Sequence, residues 1–365
     1  MGRKKQGEIN KGTLEKTRKK RKQITIREVA NEAKCSISAV SIVLNGKGGS
    51  IPLTTQQRIF NAVKKLNYKP NVSARTMVTK KSNIVGIILP DVSNQFFAEL
   101  VRYIQLELNS YGYDVILCNS EDRAESDVRY LNFLSGRKVD GILIAPGAES
   151  LEEQNKKNFT DALEQTGVPY LFLDRYLSGD YPKVSVDNEY SGYIAVKHLI
   201  ENGHKNIGLI TGPLVLNSSE NRLKGAKQAL KESDLPFDES LVYVGKYDLE
   251  SGRLGAEKLL NKQVSAIFAF SDVQAYGVIQ YAKEVGIKIP EDLSLIGFDD
   301  IFYSSLLDVP LTTMRQPIAD LAKESCKSIV KMMEMHDRNE VVQTASTTVV
   351  SQLIKRKSVK NINNA

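Results

Sequence analysis

Apolar positions along this chain follow two periods, and the change between them divides it. From Thr25 to Leu66 they recur every three or four residues: Ile26, Val29, Ala30 and Ala33 share one helical face, Val40, Val43 and Leu44 a second, and Ile59, Ala62, Val63 and Leu66 a third. Thr25 and Glu28 have the spacing of a capping box, and Thr54 and Gln57 repeat it ahead of the third stripe. Ser36 can cap the second helix, and Asn67 suits the left-handed position that ends the third. Only Lys34 and Cys35 separate the first two helices, which predicts a helix-turn-helix within a small three-helix bundle over 24–70. Asn45-Gly46-Lys47-Gly48-Gly49-Ser50 reads as a flexible loop.

From Ser82 onward the apolar runs become short and continuous: Ile84–Leu89, Val115–Cys118, Gly141–Ala145, Tyr170–Leu173, Ile207–Ile210, Ala266–Phe270 and Leu293–Phe298. Amphipathic helical stretches lie between most of them. Continuous apolar strands alternating with helices predict parallel sheets covered on both faces. Two such series make two doubly wound α/β lobes, which bind ligands at the carboxyl ends of their strands. Leu311–Pro317 and a final strand, Ser346–Lys355, return late, so the lobes should be joined by several crossings that act as a hinge.

A chain of 365 residues exceeds one ordinary core, in agreement with several domains, and 41% apolar with 25% charged residues is the balance of a folded protein. There is no window of 18 uninterrupted apolar residues, and no apolar region follows the basic start, so a cytoplasmic location is expected. Cys35, Cys118 and Cys326 are few, odd in number and far apart, which suits reduced thiols. The net charge of +7 hides a division: residues 1–81 hold 20 Lys/Arg against 4 Asp/Glu, a net of +16, leaving −9 on the other 284 residues. A basic head on an acidic body suggests a module for a polyanion joined to a domain with another task. Residues 1–23 carry ten of the cations and almost no aliphatic side chains, and read as a disordered arm. Three readings of that arm stay open: contacts to flanking phosphates, a solubilising tail, or a start site placed too early.

Enzymatic chemistry finds no support. Neither GxGxxG after the first strand nor GxxxxGK[ST] is present, and none of His198, His204 and His336 has metal-ligand spacing, so no catalytic residue, metal or cofactor is expected.

Several motifs, taken in order, carry a resemblance. Ile26-Arg27-Glu28-Val29-Ala30, Ser36 to Asn45 (SISAVSIVLN), Leu66-Asn67-Tyr68-Lys69-Pro70-Asn71 and Ala74-Arg75 are followed by Leu89-Pro90-Asp91-Val92-Ser93-Asn94-Gln95-Phe96-Phe97, Val139-Asp140-Gly141-Ile142, Gly203-His204 and Leu295-Ile296-Gly297-Phe298-Asp299. From Ile24 to Arg356 the chain resembles the lactose-repressor/galactose-repressor (LacI/GalR) family of bacterial transcription regulators. The resemblance implies a helix-turn-helix head on a periplasmic-binding-protein-like core, and a homodimeric repressor that binds a palindromic DNA operator. It also implies a small effector, a sugar or sugar derivative, held in the cleft between lobes. The expected domains are an arm at 1–23, a head at 24–70, a hinge at 71–81, a core at 82–356 and a tail at 357–365. Within the core, the N-lobe takes about 82–186 and 317–343, and the C-lobe about 187–314 and 344–356. The tail lacks leucine heptads, so no tetramerising coiled coil is expected.

The head departs from the family pattern at Lys34 (usually Gly), Cys35 (Val), Ala39 (Thr) and Ile42 (Arg), and its loop after Asn45 is about three residues longer. On the second helix Ile37, Ser38, Ser41, Ile42 and Asn45 oppose the buried stripe, and that helix enters the major groove. Ile37 and Ile42 lack donors, which points to thymine methyls, with Ser38 on a base edge; the alternative is that one isoleucine packs inside the bundle. By resemblance, Thr25, Ser36, Ser41, Asn45 and Tyr68 contact phosphates, and Asn71, Ala74, Arg75 and Met77 belong to a hinge helix in the minor groove. Met77 is either the wedge there or a linker residue. Also by resemblance, the effector cleft is lined by Phe96, Phe97, Asp174, Leu216, Ser218, Arg222, Tyr247, Ser271 and Asp299, with Arg175 adjacent. Carboxylates, a guanidinium, hydroxyls and aromatic faces suit a polar ring, a sugar foremost and a nucleobase as the related case. Arg222 with Asp299 could instead be a structural ion pair. The competing function is a ligand-binding or scaffold protein of the same fold whose DNA specificity is lost or altered.

Overall fold

The computed structural model describes residues 24–44, 46, 48–68, 81–340 and 346–363. The chain divides into two units, 1–80 and 81–365.

In the first unit, helices α1 (Ile26–Glu32), α2 (Ile37–Leu44) and α3 (Leu53–Leu66) enclose Val29, Ala30, Ala33, Val40, Val43, Ile59 and Ala62. The first capping box forms: the Thr25 backbone N–H donates to Glu28 Oε2 at 2.7 Å, and the Glu28 N–H returns to Thr25 Oγ1 at 3.4 Å. Ser36 Oγ accepts from the Ala39 N–H at 3.1 Å and so caps α2. The second capping box does not form. Pro52, with φ of −54°, starts α3 ahead of Thr54, which therefore falls inside the first turn, and no side chain caps the helix. Nor is the loop before α3 wholly loose. Gly48–Ser50 make a 3-10 turn, pinned where Gln56 Nε2 donates to the carbonyls of Gly48 (2.9 Å) and Ile51 (2.8 Å).

The second unit contains two six-stranded sheets. The first is built from β1 (Ile84–Leu89), β2 (Asp114–Asn119), β3 (Gly141–Ile144), β4 (Tyr170–Leu173) and β5 (Lys183–Val186). Helices α4 (Gln95–Ser110), α5 (Ala124–Gly136), α6 (Ala148–Leu151) and α7 (Glu153–Gln165) connect the first four of these strands. After α8 (Asn188–Glu201) the second sheet takes β6 (Ile207–Thr211), β7 (Val242–Val244), β8 (Ala266–Ala269), β9 (Ser294–Asp299) and β10 (Thr312–Arg315). Its intervening helices are α9 (Asn217–Glu232), α10 (Leu249–Leu260) and α11 (Asp272–Val285). The chain then returns to the first lobe as α12 (Ile318–Asp337) and β11 (Ser346–Val349), and ends in the second with β12 (Gln352–Ile354).

The strand orders are β2-β1-β3-β4-β5-β11 and β7-β6-β8-β9-β10-β12, parallel throughout except that β12 runs against β10. Two strands, β5 and β7, are absent from the apolar runs because one alternates with polar residues and the other has only three residues. The single final strand expected over Ser346–Lys355 is also corrected. Its first half pairs with β5 and its second with β10, so residues 346–349 belong to the N-lobe sheet rather than to the C-lobe. The break falls at Val350-Ser351, where the backbone crosses between lobes and Ser351 Oγ lies 2.5 Å from Ser191 Oγ. The other crossings are at Asp187, whose N–H donates to the Val349 carbonyl at 2.8 Å, and at Gln316-Pro317.

Candidate functional site

Doubly wound sheets of order 2-1-3-4-5 open a crevice where strand order reverses, beyond the carboxyl ends of the strands. Both lobes have this order, and the loops leaving β1, β4, β6, β7, β8, β9 and β10 face one another across a cleft. Asn94 follows β1 and caps α4, accepting from the Phe96 N–H at 3.0 Å, which sets Phe96 and Phe97 edge to face with centroids 5.0 Å apart. Asp174 follows β4 at φ +62°, and Asp299 ends β9 at φ +113°, two left-handed backbones at the cleft's two carboxylates. Ser271 caps α11, and Ser218 lies 3.4 Å from the Tyr247 hydroxyl.

The charged groups are tied down from behind. Arg222, on α9, donates Nε to Asn188 Oδ1 at 2.8 Å and Nη1 to the Phe270 carbonyl, with its guanidinium 3.3 Å from the Phe298 ring centre. Arg175 Nη1 donates to Asp122 Oδ1 at 2.6 Å. Gln316 Nε2 donates to Asp299 Oδ1 at 2.6 Å, which joins a cleft carboxyl to an interlobe crossing. The structural ion pair considered for Arg222 and Asp299 is not the bond either one makes. Burial pushes Asp299 up to about 8, against the pull of Arg222, and burial likewise raises Asp174 despite both arginines. Beneath the cleft Asp272 is raised to about 7 by burial, although Ile301 N–H, Ser304 Oγ and Thr313 Oγ1 all donate to it.

Phe96, Phe97, Asp174, Arg175, Ser218, Arg222, Tyr247, Ser271 and Asp299 thus come together around one cleft, together with Asn94 and Gln316. Leu216 does not line it. It precedes α9 and is buried in an apolar cluster whose other buried members all belong to the first lobe. Asn94 was readable as a helix cap. Gln316 gave no signal, since its place depends on a chain crossing that local pattern does not contain. The cavity between the lobes is about 20 Å³, room for about one water, so a sugar-sized ligand enters only if the lobes part. Among the described residues there is no group of three or more His, Cys, Asp or Glu that could hold a metal, and no helix long and apolar enough to cross a membrane.

On the head, Thr25, Ser36, Ile37, Ser38 and Ile42 are exposed, while Ser41 and Tyr68 are half-buried, Tyr68 against the head core. Ile37 and Ile42 stand 41% and 38% exposed, so neither packs inside the bundle. Lys34 occupies the turn at φ +50°. Asn45, Asn71, Ala74, Arg75, Met77 and the arm lie outside the described residues.

Residues 25–71 match the family profile described as bacterial regulatory proteins, lacI family, and residues 196–359 match that of a periplasmic binding protein-like domain. The HTH-type transcriptional regulator DegA of Bacillus subtilis is 38% identical over 82% of this chain and 88% of its own. The chain belongs to the lacI family of bacterial regulatory proteins. As a lacI-family member it is a DNA-binding transcriptional regulator with the two-part fold expected from its motifs. Among other relatives, the ribose operon repressor of Halalkalibacterium halodurans is 33% identical, covering 93% of this chain and 98% of that one. A crystal structure of the lac repressor dimer bound to operator and an anti-inducer superposes with a TM-score of 0.81 at 25% identity, over 93% of this chain and 100% of that one.

Proposed function

We propose that this lacI-family chain is a repressor that binds a two-fold-related operator as a homodimer and releases or tightens its grip when a sugar or sugar derivative enters the cleft. The observation that carries the effector half is the cleft itself, where groups from seven strand ends and both lobes converge. A ligand touching both lobes changes the free energy of opening about the crossings, and only that difference can be passed to DNA binding. Arg222 and Asp299 are the residues we assign to ligand orientation, with Phe96 and Phe97 as the apolar wall. On the head, Ile37 and Ile42 offer apolar side chains to thymine methyls, and Ser38 offers a hydroxyl to a base edge.

A gel shift on the DNA beside its own reading frame, with random competitor, tests the operator half, and sugars added to the same lanes test the effector half. Selective retention of one duplex is expected. A protein with no preference for any duplex over random DNA would instead be the orphan ligand-binding scaffold.

A further inference from the structure

We infer that the cleft takes an uncharged ligand rich in hydroxyl donors and rejects the phosphate esters and carboxylates of the same sugars. The inference rests on the cleft being the effector site.

An anion needs free donors in pairs. A guanidinium grips phosphate or carboxylate through Nε with Nη2, or through Nη1 with Nη2. In Arg222, Nε is taken by Asn188, which breaks the Nε/Nη2 fork, one of the two Nη1 hydrogens goes to the Phe270 carbonyl, and the flat face lies on Phe298. Arg175 is engaged at 2.6 Å by Asp122. Charge gives an anion no help either. Three carboxyls, of Asp122, Asp174 and Asp299, stand around the two guanidiniums of Arg175 and Arg222.

What the cleft offers in surplus is acceptors. Asp174 Oδ1 and Gln316 Oε1 are buried and have no hydrogen-bond partner among the described residues, on side chains whose residues are 5% and 4% exposed. A buried acceptor left unmatched is costly, so a bound ligand should bring donors to both. They sit on opposite lobes: Asp174 follows β4 of the first sheet and Gln316 follows β10 of the second. A ring with hydroxyls on two edges can donate to both while its face lies against Phe96 and Phe97; a phosphate can donate to neither.

The test is isothermal titration of the full chain with D-ribose, D-glucose and cellobiose, and with ribose 5-phosphate, glucose 6-phosphate and glucuronate, at one pH and salt. We expect an uncharged sugar to bind, and its phosphate or carboxylate counterpart to bind at least about tenfold more weakly. Asp174→Asn removes a charge at a left-handed position that Asn tolerates, and Gln316→Leu removes the second acceptor; each should weaken the uncharged sugar and narrow that gap. Melting curves confirm that both variants fold. A charged sugar that binds as tightly as its uncharged parent, and that Asp299→Ala no longer holds, would overturn the inference and leave the cleft reading intact. Uncharged sugars bound equally by wild type, Asp174→Asn and Arg222→Met would place the ligand elsewhere and overturn the cleft reading itself.

Discussion

At single residues the sequence is legible where one side chain answers a local need, and illegible where the need comes from afar. Asn67 ends α3 at φ +47°, as its short amide allows, and Thr25 caps α1. Lys34 stands out as a departure from glycine, but its consequence is visible only in its φ of +50°, which a lysine adopts at a cost that glycine avoids. Lys34→Gly is therefore expected to stabilise the head by about 1 kcal/mol, read from its unfolding transition in the full chain; no change or a loss would mean that the turn stores no strain. Asp299 was legible as a cleft carboxyl, its titration not. The unfolded chain ionises it near the ordinary 3.8 and the folded chain only at about 8, because burial disfavours the charge. Folding thus holds a proton across that interval. The contribution to stability is complete below the lower value and is lost as pH rises through the upper one. Melting temperature against pH should fall less steeply between those values in Asp299→Asn, and parallel profiles would refute the assignment.

Among the elements, continuous apolar runs revealed the central strands because burial on both faces leaves them no polar period. Others escaped: β5 alternates with polar residues, β7 is short and half-exposed, and β11 and β12 share one run that only the interlobe crossing divides. The tightest helix packing was equally hidden, since a glycine within a helix carries no period of its own. A Cβ on Gly192 would lie 2.1 Å from the Arg222 carbonyl oxygen, and one on Gly225 would lie 1.9 Å from that of Glu189, so α8 and α9 touch backbone to backbone. That close approach seats the helix bearing Ser218 and Arg222, and it lets Asn188 at the start of α8 hold Arg222. Gly225→Ala must push the helices apart, at a cost of about 1–3 kcal/mol, and should also weaken effector binding by moving Arg222. Urea unfolding and titration of the same variant separate the two effects. Stability lost with affinity unchanged would show that Arg222 does not depend on how closely the helices approach.

For the whole molecule, the order of motifs along the chain foretold a head and two lobes joined by several crossings, since each lobe repeats one βα series. Association of two copies left a fainter trace, because an exposed apolar residue has no partner in its own sequence. Phe302, Tyr303 and Leu306 are 64%, 60% and 64% exposed within five positions of the second lobe, the two rings edge to face at 5.6 Å. Apolar surface left in water costs about 25 cal/mol per Å², so this cluster gains from a cover, and the operator-bound dimer among the similar structures makes a second copy the fitting one. A two-fold axis through such a patch brings each side chain near its own copy, and a charge placed there meets a like charge. Leu306→Lys should therefore shift the protein toward monomer in sedimentation experiments. Because two heads on one duplex bind far more tightly than one, operator affinity should fall at least about tenfold in parallel, while effector titration of the monomer stays unchanged. A variant that remained dimeric with full operator affinity would move the interface to another face.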